Sequence, residues 1–125
     1  MTVNITNIKP ISAQKTGSNW LLTVKYTANF TAEEATTHNY TFRDSLSIRE
    51  EDDTSGDDVV TGFVGASNFN PSALSVSRTL VAKVSEEDLD TELGGEEIYA
   101  RIRLRNLTTG GVPKHKNTAV INLAP

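Results

Sequence analysis

From Trp20 to Phe30 the chain alternates with period two. Trp20, Leu22, Val24, Tyr26, Ala28 and Phe30 share one parity, and Leu21, Thr23, Lys25, Thr27 and Asn29 share the other. Successive side chains leave a pleated backbone on opposite sides, so this pattern predicts a strand with one face on a core and one toward solvent. The preceding Thr16-Gly17-Ser18-Asn19 predicts a turn. Ile98, Ala100, Ile102 and Leu104 repeat the pattern against Tyr99, Arg101, Arg103 and Arg105. A third strand follows from Tyr40, Phe42, Leu46 and Ile48 against Thr41, Arg43, Ser45, Ser47 and Arg49. Asp44 falls on its apolar parity, which requires either a buried carboxylate with hydrogen-bond partners or a sheet that opens to solvent there.

Four further segments carry weaker patterns. Val3–Ala13 is strand-like but interrupted by Pro10, which implies an edge position or a kink, and a first strand of this kind commonly switches sheets at its proline. Val59–Ala66 predicts a short apolar strand, and Ser67–Ser72 reads as a loop by composition. Val76, Leu80, Ala82 and Val84 mark another strand, with Arg78 an exception to its inward parity. Ala119, Ile121 and Leu123 suggest the last. Between strands, Thr31-Ala32-Glu33-Glu34 has capping-box spacing and predicts a helical turn near 31–35. Ser85-Glu86-Glu87-Asp88 opens a second, near 86–93, where Leu89 and Leu93 would share a helical face before Gly94-Gly95. The whole predicts one all-β domain over residues 1–125, a seven-stranded antiparallel sandwich or barrel.

The order of these features resembles an immunoglobulin-like or fibronectin type III-like β-sandwich. The tryptophan-led second strand, the helical crossover before the sixth strand and the final hairpin carry the resemblance. The chain lacks the cysteine pair of antibody domains, and Ile98 stands near the position of their corner tyrosine. The resemblance therefore implies an architecture and no functional residues; a barrel or a jelly-roll-like sandwich is the alternative.

Composition narrows the setting. There is no cysteine, which excludes disulfides and thiolate metal sites and fits a reducing compartment or a simple bacterial or viral setting, cytoplasmic or virion-associated. The start Met1-Thr2-Val3-Asn4 shows no signal-peptide pattern, and no stretch approaches the ~18 apolar residues of a spanning helix. The net charge of −4 speaks against nucleic acid as a partner, and its distribution is polarised. From Ile98 onward there are five Lys or Arg and no acid, so all 16 Asp and Glu precede that point.

Two constellations could carry function. The first is the acidic turn Glu50–Asp58, where Asp52, Asp53, Asp57 and Asp58 could offer oxygen ligands to calcium. The spacing is not that of an EF-hand, and the plainer reading is a turn kept soluble by charge. The second is a basic face: Tyr99, Arg101, Arg103 and Arg105 project from one side of one strand, with the arginines roughly 6.5–7 Å apart. Lys114, His115 and Lys116 lie on or near the adjoining strand, and Arg43 and Arg49 join the surface if the third strand neighbours the sixth. Arginine rows suit carboxylate or phosphate groups, and their like charges need partners, either internal (Glu86, Glu87, Glu96, Glu97, the acidic turn) or on another chain. His38 and His115 lie in no metal-ligand or acid–base motif, and no phosphate loop or nucleophile elbow is present. The Asn-X-Ser/Thr sequons at Asn4, Asn29, Asn39 and Asn106 are expected by chance in a chain so rich in threonine. The expectation is a non-enzymatic structural or protein-interaction module that self-associates or binds a protein. The alternative is a calcium- or carbohydrate-binding module, with Tyr40, Phe69 or Trp20 as stacking surfaces.

Overall fold

The computed structural model describes residues 2–51, 58–89 and 95–124. Two antiparallel sheets face each other. In the first, β1 (Asn4–Thr6) and β2 (Ser12–Thr16) lie end to end along one side of β3 (Asn19–Asn29), and β7 (Ser75–Ser85) pairs along its other side. In the second, β9 (Lys114–Asn117) and β10 (Ile121–Leu123) lie end to end along β8 (Glu96–Asn106). The strand β4 (Phe42–Glu50) pairs with β8 over its full length, and β5 (Asp58–Val59) and β6 (Val64–Phe69) flank β4 on the far side. The layers are thus three strands wide and four strands wide.

The described residues hold ten strand segments rather than seven. Three local events account for the difference. Pro10 splits the first strand, but both halves stay on β3, with Lys9 N–H donating to the Lys25 carbonyl between them, so there is no switch of sheets. Thr118 splits the last strand: its hydroxyl accepts from Ala100 N–H at 2.9 Å and its own N–H donates to the Ala100 carbonyl, so a side chain replaces a rung of the ladder. The segment expected as one strand over Val59–Ala66 is β5, a bend over 60–63, and then β6, which runs on into the expected loop as far as Phe69. At Gly65 the backbone is left-handed (φ +67°), and a Cβ there would come within 2.7 Å of the Val81 carbonyl oxygen. Only glycine lets β6 pass that close to β7.

The parity of β3, β4 and β8 is realised in the packing. Leu22, Val24, Phe42, Leu46, Ile48, Ile98, Ile102 and Leu104 are buried between the sheets, and Trp20 is part of the same core. The expected turn near 31–35 is a short π-helical segment, η1 (Glu33–Thr37). The capping box forms: Glu34 N–H donates to Thr31 Oγ1 at 3.2 Å, and Thr31 N–H donates to Glu34 Oε1 at 2.9 Å. The buried Glu34 also accepts from Val3 N–H at 3.1 Å, which ties the N-terminal segment to this turn. In the second turn, Ser85 Oγ accepts from Asp88 N–H ahead of α1 (Glu86–Leu89), and Leu89 is fully buried. Residues 90–94, including Leu93, lie outside the described residues.

The two parity exceptions explain each other. Asp44 is completely buried on the inner face of β4. Arg78, from the inner face of β7, reaches across the sandwich and donates from Nε and Nη2 to Asp44 Oδ2 and Oδ1 at 2.8 and 3.0 Å. The Tyr26 hydroxyl donates to Oδ2 at 2.7 Å, and the Phe69 ring lies 3.7 Å beneath the guanidinium. Burial, then the Asp44 charge, push the Tyr26 hydroxyl far above its ordinary pKa, so it stays protonated as a donor. The hydrogen bonds to Asp44 raise the Arg78 pKa, against an opposing effect of burial.

Candidate functional site

The outer face of the four-stranded sheet is built by the β4–β8 register. Arg43 stands opposite Arg105, Ser45 opposite Arg103, Ser47 opposite Arg101 and Arg49 opposite Tyr99. Directly opposed residues on antiparallel strands share a face, so the five arginines of β4 and β8 form one surface. His115, opposite Arg103 on β9, and Asn117, opposite Arg101, continue it.

This face is not a plain solvent-exposed stripe. The bend before β6 folds over it. Thr61 accepts from the Ser47 hydroxyl at 2.7 Å through its carbonyl and from Ile48 N–H through Oγ1, which buries Ser47. Phe63 lies 4.1 Å from the Arg103 guanidinium and 5.8 Å from the His115 ring. Arg101 Nε donates to Asn117 Oδ1 at 3.0 Å, and Arg49 Nε donates to Ser47 Oγ at 3.3 Å. These contacts leave Arg49, Arg101 and Arg103 partly covered and Arg43 and Arg105 exposed.

Three residues expected on this surface sit elsewhere. Tyr99 has the outward parity but is only 5 % exposed, so it is a covered packing residue. Lys114 and Lys116 stand opposite Leu104 and Ile102 and therefore leave β9 on the core side of the sheet, exposed beyond its edge. The residue between them, His115, takes the place beside the arginines. Phe63, flanked by Gly62 and Val64, had no periodic signal to reveal it, whereas alternation along β9 turns His115 away from its lysine neighbours and the pairing with β8 decides which of them joins the arginines.

Among the described residues the ion pairs are Lys15–Glu86 (2.6 Å) and Arg78–Asp44, and a longer His38–Glu33 contact (3.8 Å) is one only when the imidazole is protonated. None involves Arg43, Arg49, Arg101, Arg103 or Arg105, and Glu86, one of the expected internal partners, is taken by Lys15. The proposed calcium ligands Asp52, Asp53 and Asp57 lie outside the described residues, as does the side chain of Asp58. No group of three or more metal-ligating side chains forms among the described residues. Of the candidate stacking residues, Trp20 is buried and Phe69 packs on Phe30 and Arg78, while Tyr40 is half-buried and stacks on His38 at 5.3 Å. Tyr40 precedes β4, at the end opposite to Glu50.

Burial beside Phe63, then the charges of Arg101, Arg103 and Arg49, hold the His115 imidazole below its ordinary pKa of 6.5. Below pH 6.5 the unfolded chain binds this proton more readily than the folded one, so folding stability is to fall as pH drops from 6.5 through the folded value. It is undiminished above that window. NMR titration of the imidazole should give an apparent pKa under 6.5 that rises in Arg101→Gln. A value at or above 6.5 in the parent protein contradicts this electrostatic picture.

No family model and no curated protein matches the chain. Among solved structures it is similar to β-glucosidase 3B from Thermotoga neapolitana in complex with α-D-glucose (TM-score 0.40, 8 % identity) and in complex with glycerol (TM-score 0.43, 12 % identity). In both cases the likeness covers 99 % of this chain and 17 % of the β-glucosidase chain. It is also similar to a Northeast Structural Genomics Consortium target, SoR45 (TM-score 0.37, 13 % identity, 99 % of this chain and 87 % of that one). Likeness at this level carries no inference about function. No helix among the described residues is long and apolar enough to cross a membrane.

Proposed function

We propose that this chain is a non-catalytic protein-interaction module of the immunoglobulin-like kind, a subunit of a larger assembly, which receives an acidic surface on the outer face of β4 and β8. The observation that carries the reading is the convergence of Arg43, Arg49, Arg101, Arg103 and Arg105 on one sheet face without a carboxylate partner among the described residues. Guanidinium groups at cross-strand spacing repel one another, and their planar forks match carboxylates on another chain. The chain itself supplies carboxylates at one end of that sheet, where Glu51 N–H donates to the Glu97 carbonyl and Glu50 and Glu96 stand next to them in β4 and β8. An acidic end docking on the basic face of a second copy makes a head-to-tail contact.

The immunoglobulin-like assignment is supported by the sheet partition: first, second and fifth strands against third, fourth, sixth and last. The non-catalytic reading rests on the contacts the two histidines make: His38 stacks on Tyr40 beside Glu33, and His115 lies against Phe63.

Light scattering at low and at high salt tests the reading. Association at low salt should weaken as salt rises, because exposed charge pairs are screened, and Arg101→Glu should abolish it. A strict monomer at every concentration and salt removes the self-assembling form.

A further inference from the structure

We propose that Arg43, Ser45, Arg103 and Arg105 form a discrete binding site for a tetrahedral, doubly charged oxyanion: a phosphate group, free or carried on a protein partner. The proposal deepens the interaction reading by naming what the most basic part of that face holds.

The four side chains line one depression of about 210 Å³ on the outer sheet face. Arg43 and Arg105 are directly opposed across the β4–β8 ladder, and Ser45 and Arg103 form the next rung. Arg43 and Arg105 enter no ion pair or side-chain hydrogen bond among the described residues. Ser45 is only 2 % exposed and lines the floor of the depression between the arginines. Arg103 is held in place from above by Phe63.

Every lining group is a donor and none is an acid. Three guanidinium groups around one small depression leave an excess of positive charge that a single carboxylate cannot offset. A phosphate monoester carries about −1.5 to −2 at pH 7 and has three strong acceptor oxygens. Those oxygens can take bidentate bonds from more than one arginine fork while also accepting the Ser45 hydroxyl.

The test is an NMR titration of the full chain at constant ionic strength with inorganic phosphate, with acetate, and with a phosphoserine peptide beside its unphosphorylated form. Phosphate should give saturable shifts centred on Arg43, Ser45, Arg103 and Arg105, with Kd on the order of 1 mM. Arg105→Gln and Arg43→Gln, both exposed positions, should each weaken binding about tenfold, the size expected of a charge-assisted hydrogen bond. Lys83→Gln, the same charge change on the other sheet, should leave it unaltered. Tighter binding of the phosphopeptide than of phosphate identifies a protein-borne group; equal binding identifies free phosphate; both support the site. No saturable shift, or acetate binding at the same residues with equal affinity, overturns it. The outcome is separable from the broader reading: salt-sensitive association lost in Arg101→Glu but without phosphate binding sinks the site alone, and phosphate binding by a strict monomer sinks self-assembly alone.

Discussion

Asp44→Ala is expected to lower the unfolding free energy by about 3–5 kcal/mol, the cost of breaking a buried ion pair from one side. The carboxylate has no solvent exposure and accepts three hydrogen bonds, two from Arg78 and one from Tyr26. Alanine leaves the Tyr26 hydroxyl without its acceptor and the Arg78 guanidinium stranded over Phe69. Arg78 is 18 % exposed and can turn partly toward water, which places the effect toward the lower end of that range. The charge itself is not what the fold needs. Asp44→Leu combined with Arg78→Met and Tyr26→Phe removes every polar group of the cluster together and should recover most of the loss. Urea unfolding of the single and triple variants checks both statements. A loss under about 1 kcal/mol for Asp44→Ala would mean that the pair contributes no more than a surface salt bridge.

Phe42→Ala is expected to cost about 3–5 kcal/mol, from lost transfer free energy and the cavity left behind. Phe42 is fully buried at the start of β4, its ring edge-on to Phe30 at 4.7 Å and 6.2 Å from Phe69. Phe30 ends the period-two run of β3 and Phe69 ends β6, so the three rings join both sheets at one end of the sandwich. Phe69 also carries Arg78 on its other contacts, so the cavity should loosen the polar cluster nearby. Phe42→Leu should cost less than half as much, because most of the volume is kept. Phe42→Ala and Asp44→Ala should then combine non-additively, since Phe42 packs on Phe69, which in turn stacks on the Arg78 that pairs with Asp44. Thermal unfolding of the single and double variants measures this directly, and strict additivity would show that the two clusters are independent.

The three long alternating segments were legible because each has a single buried face and enough residues for the period to declare itself. The arginine face was legible for the same reason: the parity that buries Ile102 and Leu104 turns Arg101, Arg103 and Arg105 outward. The capping box at Thr31 and Glu34 was legible because its interaction is local. The path of 58–69 was not. Its break depends on how closely Gly65 approaches Val81, a contact with β7 that no pattern within the segment encodes. Tyr99 shows a related limit, since parity gives the direction of a side chain and says nothing of what later folds over it. Lys114 and Lys116 show another: a strand of four polar residues has no apolar parity, so only its pairing with β8 decides which of its side chains join the arginines.

Alternation along the backbone was thus sufficient to determine which faces of β3, β4 and β8 are buried, because the pleat makes side-chain direction a property of position within a strand. Tertiary structure alone decided that Asp44 meets Arg78, 34 positions away, and that Arg43, Ser45, Arg103 and Arg105 enclose one depression. A period-two pattern is identical for every register and every pairing of sheets that keeps the same faces buried. The choice among them is made by packing across the core, where polar exceptions must find one another and the small residues admit close approach.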